Sequence, residues 1–206
     1  MRARIAFFRL HAMILKKPLV LASRSPRRRL LLGQIGLEPR VIPCDIPEDF
    51  DPVKNPADNA RSLAVQKAEA VAAGIDNAYV LGADTIVVLN GAMLGKPADR
   101  EEAVRMLEKL SGKTHTVVTG FALIDRPSNE TIVGTESTEV TFRDLPRAEI
   151  EEYAGGGSPL DKAGAYGIQD DYGAVFVTRI EGCFYNVVGL PLSRVHAALM
   201  MMQNRA

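Results

Sequence analysis

Residues 18–36 read Pro18-Leu19-Val20-Leu21-Ala22-Ser23-Arg24-Ser25-Pro26-Arg27-Arg28-Arg29-Leu30-Leu31-Leu32-Gly33-Gln34-Ile35-Gly36. A short apolar run bounded by turn residues has the length and composition of a buried strand, expected over 18–22. Ser25 suits an N-cap, and Pro26 suits the first helical position, where its missing N–H is no loss. A helix is therefore expected over 26–34. This order puts Arg27 and Arg28 in the first helical turn, at the positive end of the dipole, where each costs about 0.3–1 kcal/mol. Breaking a local rule marks a place where function is expected. A bound phosphate, held by backbone N–H groups, hydroxyls and two guanidiniums, would offset the cost. The alternative is a solvated basic turn.

Outward from this unit, helices and strands interleave. Residues 38–43 alternate and are expected to form a second strand. Residues 45–56 are acidic and proline-rich, hence a loop. A helix over 57–73 ends at Gly74. Strands are expected at 78–83 and 86–89, with Asp84-Thr85 at the end of the first. Asn90-Gly91 is a hairpin turn into 92–94. Asp99 caps a helix over 100–110. Long β-rich runs at 114–124 and 131–142 are expected to pair. A short helix over 146–153 precedes the break Gly155-Gly156-Gly157. Strands at 174–180 and 183–187 and a helix over 192–201 close the chain. Such interleaving points to an α/β fold with a mixed sheet.

The chain has 206 residues, 47% hydrophobic and 24% charged, with a formal net charge of zero. That is enough for one domain with a continuous core. The charge balance argues against a nucleic-acid binder, which carries a basic excess or stripe. No apolar run reaches the roughly 18 residues of a membrane span. Cys44 and Cys183 are far apart, and His11, His115 and His196 have no metal-ligand spacing. Reduced cysteines in a cytoplasmic protein are the expectation, with His115 structural. Residues 1–17 carry Arg2, Arg4, Arg9, Lys16 and Lys17 and no acid. They are expected to be an N-terminal extension or mis-assigned start ahead of one domain over 18–206.

Several side chains are placed for chemistry. Asp84 and Thr85 follow a buried strand, the usual place for ligands in α/β sheets. Gly82 and Ala83 allow another backbone or a ligand to come close. Lys96, in Gly95-Lys96-Pro97, is set by a turn to reach a phosphate. Leu63, Lys67 and Val71 share a helix face, which puts a lysine beside an apolar stripe; it either snorkels or points into a site. Glu48 is one of several acids in its loop able to help hold Mg²⁺, which takes one or two carboxylates plus phosphates. Gln169, after Asp161-Lys162-Ala163-Gly164-Ala165-Tyr166-Gly167-Ile168, offers one donor and one acceptor to a base edge. This is an inventory for a metal-bound nucleoside polyphosphate, without a P-loop or dinucleotide fingerprint.

The ordered set 22–28, Gly82-Ala83-Asp84-Thr85, Gly95-Lys96-Pro97, Ser111-Gly112-Lys113-Thr114-His115, 161–169 and Val188-Gly189-Leu190-Pro191-Leu192 resembles the Maf-like nucleoside triphosphate pyrophosphatases. The resemblance spans nearly the whole chain from Pro18. It implies a strongly twisted mixed sheet flanked by helices around a central nucleotide cleft. It implies hydrolysis of a nucleoside triphosphate to monophosphate and pyrophosphate with Mg²⁺ or Mn²⁺. By the same resemblance Asp84 is the catalytic acid–base or a metal ligand, and Glu48 a metal-associated acid. Arg27, Thr85 and Gln169 match substrate-choice positions of the dTTP/UTP subgroup. Ser23, Arg28, Lys67 and Lys96 match phosphate contacts. A homodimer is implied too. A nucleotide-binding regulator of cell division, without essential turnover, is the competing reading.

Overall fold

The computed structural model describes residues 13–44, 46–156, 158–169 and 172–205. Most of the N-terminal extension, with His11, lies outside these, as do Asp45 of the acidic loop and Gly157 of the glycine break. A seven-stranded sheet has the order β2-β1-β3-β5-β6-β7, with β4 also paired to β3. The strands are β1 (Leu19–Ala22), β2 (Arg40–Val41), β3 (Ala78–Leu89), β4 (Ala92–Leu94), β5 (Thr114–Arg126), β6 (Thr131–Phe142) and β7 (Val177–Glu181). β1 runs parallel to β2 and β3, and every other pairing is antiparallel. The helices are α1 (Pro26–Gln34), α2 (Pro56–Ala72), α3 (Arg100–Leu110), α4 (Arg147–Gly155), α5 (Phe184–Val188) and α6 (Leu192–Arg205). The mixed α/β sheet flanked by helices is as expected.

Alternation along β3 assigns its faces. Tyr79, Leu81 and Ala83 pack with α1 and α6, and Val87 and Leu89 pack with α3 and α4. Val80 and Ile86 point the other way, onto α2. α2 lies close because two glycines sit beneath it. A Cβ on Gly82 would stand 2.3 Å from the Ala64 carbonyl oxygen, and one on Gly120 would stand 2.3 Å from that of Ala60. The predicted close approach at Gly82 is thus that of a helix backbone.

Four expectations need correction. β3 is one strand of 12 residues, not two, so Asp84 and Thr85 lie mid-strand. What ends there is the partner. β1 pairs with β3 only as far as Ala22↔Gly82, and β4 takes over at Val87↔Leu94. Residues 83–86 therefore have a strand neighbour on the β5 side only. The expected strand at 183–187 is helix α5; a five-residue apolar run does not distinguish the two by period. Here Asn186 decides, its Nδ2 donating to the Val117 carbonyl at 2.9 Å and to Thr138 Oγ1 at 3.0 Å. The strand expected at 174–180 starts only at Val177, after a 3₁₀ turn over Tyr172–Phe176. The one expected at 38–43 shrinks to Arg40–Val41. The Asn90-Gly91 hairpin holds, with φ of 49° and 80°.

Candidate active site

The gap in the sheet beside residues 83–86 opens into a cavity of about 440 Å³, within the range of small-molecule sites. All eight sequence-predicted site residues other than Asp84 (Ser23, Arg27, Arg28, Glu48, Thr85, Lys67, Lys96 and Gln169) line it together with Asp84. Because Asp84 and Thr85 are consecutive in a strand, they serve opposite faces of the sheet. Asp84 faces α2 and Thr85 faces α1.

On the α2 side Lys67 is buried, and its ammonium sits between two carboxylates. Nζ lies 2.5 Å from Asp84 Oδ1 and 2.6 Å from Glu48 Oε1. Lys96 donates to Glu48 Oε2 at 2.7 Å. Burial would raise the Glu48 carboxyl, but hydrogen bonds from Lys67 and Lys96, with their charges, outweigh it and lower it to about 2. The acid is ionised at every working pH. Lys67 therefore does not snorkel out to solvent; Gly82 and Gly120 let α2 sit low enough for its ammonium to reach Asp84.

On the α1 side Arg28 is buried and held by three neutral acceptors. Nε donates to the Gly189 carbonyl at 2.8 Å, NH1 to Ser23 Oγ at 3.1 Å and NH2 to Thr85 Oγ1 at 3.0 Å. Burial lowers its pKa, with Asp84 pulling it up and Arg27 pulling it down. Arg27 instead pairs with Asp161, NH1 to Oδ2 at 3.0 Å. The cations in the first turn of α1 are thus offset in part by protein groups, a compensation that residues 23–29 alone do not reveal. Ser25 is the N-cap and Pro26 opens the helix as expected, but the Ser25 side chain makes no capping bond. Its N–H donates to Ser23 Oγ at 3.1 Å.

The cavity's remaining wall is apolar, with Val87, Val117, Val187 and Ile168. Gln169 lies at its exposed rim. The loop carrying Gln169 is anchored behind by Tyr166, whose hydroxyl lies 2.9 Å from His115 Nε2. It is also anchored by Gly167, whose N–H donates to the Tyr153 hydroxyl at 3.2 Å. Burial lowers the His115 pKa to about 4, so His115 is a neutral structural group. Among the described lining residues there are six cations (Arg24, Arg27, Arg28, Lys67, Lys96, Lys162) and three carboxylates (Glu48, Asp84, Asp161). That excess suits a polyanion. Among the described residues no group of three or more His, Cys, Asp or Glu is placed to hold a metal ion. Glu48 and Asp84 do converge on one point, now taken by the Lys67 ammonium. Two carboxylates are the protein share that Mg²⁺ completes with phosphate oxygens and water, so these residues fit such an ion.

The model of the Maf-like protein family matches residues 18–202. The chain belongs to the Maf-like family. It is 50% identical over 179 residues to the dTTP/UTP pyrophosphatase of Pelotomaculum thermopropionicum, covering 87% of this chain and 93% of that protein. It is 52% identical over 181 residues to that of Moorella thermoacetica, covering 88% and 93%. A solved structure, that of the Staphylococcus aureus Ham1 protein, is similar over 62% of this chain and 73% of its own at 21% identity, with a TM-score of 0.41. Among the described residues of this Maf-like chain no helix is long and apolar enough to cross a membrane. Thr119, Asn186 and the Arg27–Asp161 pair belong to the site without a signature in the sequence. The only available signal for Thr119 was a polar residue amid the apolar run of β5, and threonine is common in strands.

Proposed function

We propose that this chain hydrolyses dTTP and UTP to the monophosphate and pyrophosphate, with residues 18–206 as one catalytic domain. The observation that carries the reading is the convergence of Asp84, Glu48, Lys67, Lys96 and Arg28 on the gap beside β3. The two relatives named above support the choice of substrate. The triphosphate lies along Lys67, Lys96, Arg27, Arg28 and Ser23, and the pyrimidine lies against the valine wall. Gln169 donates to the base O4 and accepts from N3–H.

Asp84, through the carboxylate oxygen turned away from Glu48, takes the proton of a water that attacks the α-phosphorus. The bond from that phosphorus to the bridging oxygen breaks, and pyrophosphate leaves. Arg27, Arg28 and the two lysines offset the charge gathering on it, the electrostatic contribution that dominates phosphoryl transfer. Glu48 and Asp84 would hold a divalent cation, which would supply charge neutralisation at the phosphate oxygens and polarisation of water. Purified protein with Mg²⁺ and a panel of nucleoside triphosphates tests the reading. Monophosphate and pyrophosphate from dTTP and UTP, lost in Asp84→Asn, are expected. Orthophosphate with diphosphate, or near-wild-type turnover by Asp84→Asn, overturns it. Tight binding without product would instead favour a regulator.

A further inference from the structure

Behind Arg28 runs a chain of hydroxyls that is fully bonded in one direction only. Arg28 NH2 donates to Thr85 Oγ1, which lies 2.9 Å from Thr119 Oγ1. Thr119 Oγ1 in turn donates to the Asn186 carbonyl at 3.1 Å. A guanidinium N–H can only donate and a carbonyl oxygen can only accept. Thr119 has one hydroxyl proton, and Asn186 takes it. The proton between the two threonines must then belong to Thr85. Its lone pairs are left to face Arg28.

The far end of this chain is fixed. Thr119 and Asn186 are both fully buried. Asn186 is tied to β5 and β6 through Val117 and Thr138. The helix that Asn186 sits on, α5, ends at Gly189, whose carbonyl accepts from Arg28 Nε. The same short helix therefore holds Arg28 twice, directly at its end and through two hydroxyls from its middle.

We infer that Thr119 is a positioning residue for the phosphate clamp. It orients the Thr85 hydroxyl, and that hydroxyl holds Arg28 so that two of its five N–H groups remain for the substrate. Without the Thr119 oxygen the Thr85 proton loses its acceptor, and a turned hydroxyl sets its proton against an Arg28 donor. Thr119 itself is absent from the cavity wall; it reaches Arg28 through Thr85 on one side and through Asn186 and α5 on the other, and the inference concerns the first route. The inference rests on the reading of Arg28 as a phosphate ligand.

The test is a double-mutant cycle of Thr119→Val and Thr85→Val. The readout is affinity for α,β-imido-dUTP by titration calorimetry, alongside kcat/KM for dTTP. Thr119→Val alone is expected to weaken binding about tenfold, as for a hydrogen bond serving a charged group. Thr119→Ser, which keeps the hydroxyl, stays within about twofold of wild type. In the Thr85→Val background, where the chain is already cut, adding Thr119→Val changes affinity less than about twofold. Wild-type affinity in Thr119→Val, or an equal loss in both backgrounds, overturns the inference. Should Thr119→Val not fold, Thr119→Ala against Thr119→Ser reads the same hydroxyl. A wild type that binds the analogue yet hydrolyses neither dTTP nor UTP sinks the proposed function, while the cycle still decides on Thr119. A wild type that does not bind the analogue sinks both.

Discussion

Replacing Gly82 by alanine adds one methyl group where helix and sheet meet. Its Cβ would stand 2.3 Å from the Ala64 carbonyl oxygen and 2.7 Å from the Ala68 nitrogen. Both are backbone atoms of α2, so no side chain can swing aside. The helix has to retreat by roughly 1 Å to restore ordinary contact. Overpacking costs about 1–3 kcal/mol, and a clash with backbone belongs at the upper end, about 3 kcal/mol. For a domain of this size that lowers Tm by roughly 6–12 °C. Lys67 stands between Ala64 and Ala68 in sequence, so the retreat also carries its ammonium away from Asp84, now 2.5 Å distant. A displacement of about 1 Å in a catalytic array can cost on the order of 100-fold in rate. Calorimetric melting and dTTP turnover at 25 °C, well below the melt, read the two effects separately. Gly33→Ala is the control, since a Cβ there meets nothing within 4 Å. It lies inside α1 and should gain about 0.5–1 kcal/mol. A Gly82→Ala protein that melts within about 2 °C of wild type and turns over dTTP normally would refute the claim that this glycine sets the height of Lys67.

His115 should make stability depend on pH. Its folded pKa, about 4, lies below its ordinary 6.5; the unfolded chain therefore takes up the proton first as pH falls. The stability contributed by a neutral His115 is full above 6.5, declines between 6.5 and 4 by up to about 3 kcal/mol, and its share levels below 4, where the carboxylates begin to act. Chemical denaturation across that range should show the slope, and His115→Gln should remove it; an unchanged slope in the variant places the titrating group elsewhere. Arg28→Ala should lower kcat/KM by about 100-fold for every triphosphate; Arg27→Ala should lower it unevenly and so alter the preference for dTTP and UTP over CTP and GTP, since Arg27 matches a substrate-choice position as well as lining the phosphate path. Equal losses across all substrates in both variants would undo that division. Asn55 caps α2 by accepting from the Asp58 N–H at 2.8 Å. Asn55→Ala should cost about 1 kcal/mol, seen as a fall of roughly 2–4 °C in the melt with kcat preserved.

How far the fold could be read from the chain depended on where each signal resides. The β1–α1 unit, the Asn90-Gly91 hairpin and the Asp99-capped helix are set by neighbours in sequence, and they stand where expected. Two polar residues, Asp84-Thr85, interrupt an apolar run, so the sequence reads as two strands where β3 is one. Those residues are polar since they border the gap between β1 and β4, and pairing of that kind has no trace in the residues of β3 itself. The site followed the same division. Asp84 and Lys67 stand out as polar groups in apolar surroundings and Ser23 is marked only by the family resemblance, while Thr119 is hidden in a strand that tolerates threonine.

The arginines of α1 illustrate what the tertiary structure adds. Their charge at the helix start pointed to an anion, and two different settings answer to it. Arg28 is oriented by a carbonyl and two hydroxyls, neutral groups that fix its plane, while Asp84 and Glu48 act on its charge only from a distance. Arg27 is matched by Asp161, and Lys67 by Asp84 and Glu48. A triphosphate entering this cavity therefore meets the pre-set Arg28 guanidinium, held by neutral acceptors, and cations already engaged by carboxylates. Binding at Arg28 spends little on ordering. Binding at Lys67 and Lys96 has to share them with Glu48 and Asp84, and a divalent cation taken by those two acids would release both lysines to the phosphates. On this arrangement, affinity for pyrophosphate alone should rise with Mg²⁺ in the wild type and lose that dependence in Glu48→Gln. Equal dependence in both proteins, measured by calorimetry, would leave the lysines bound to their carboxylates throughout and assign the phosphate contacts to the arginines alone.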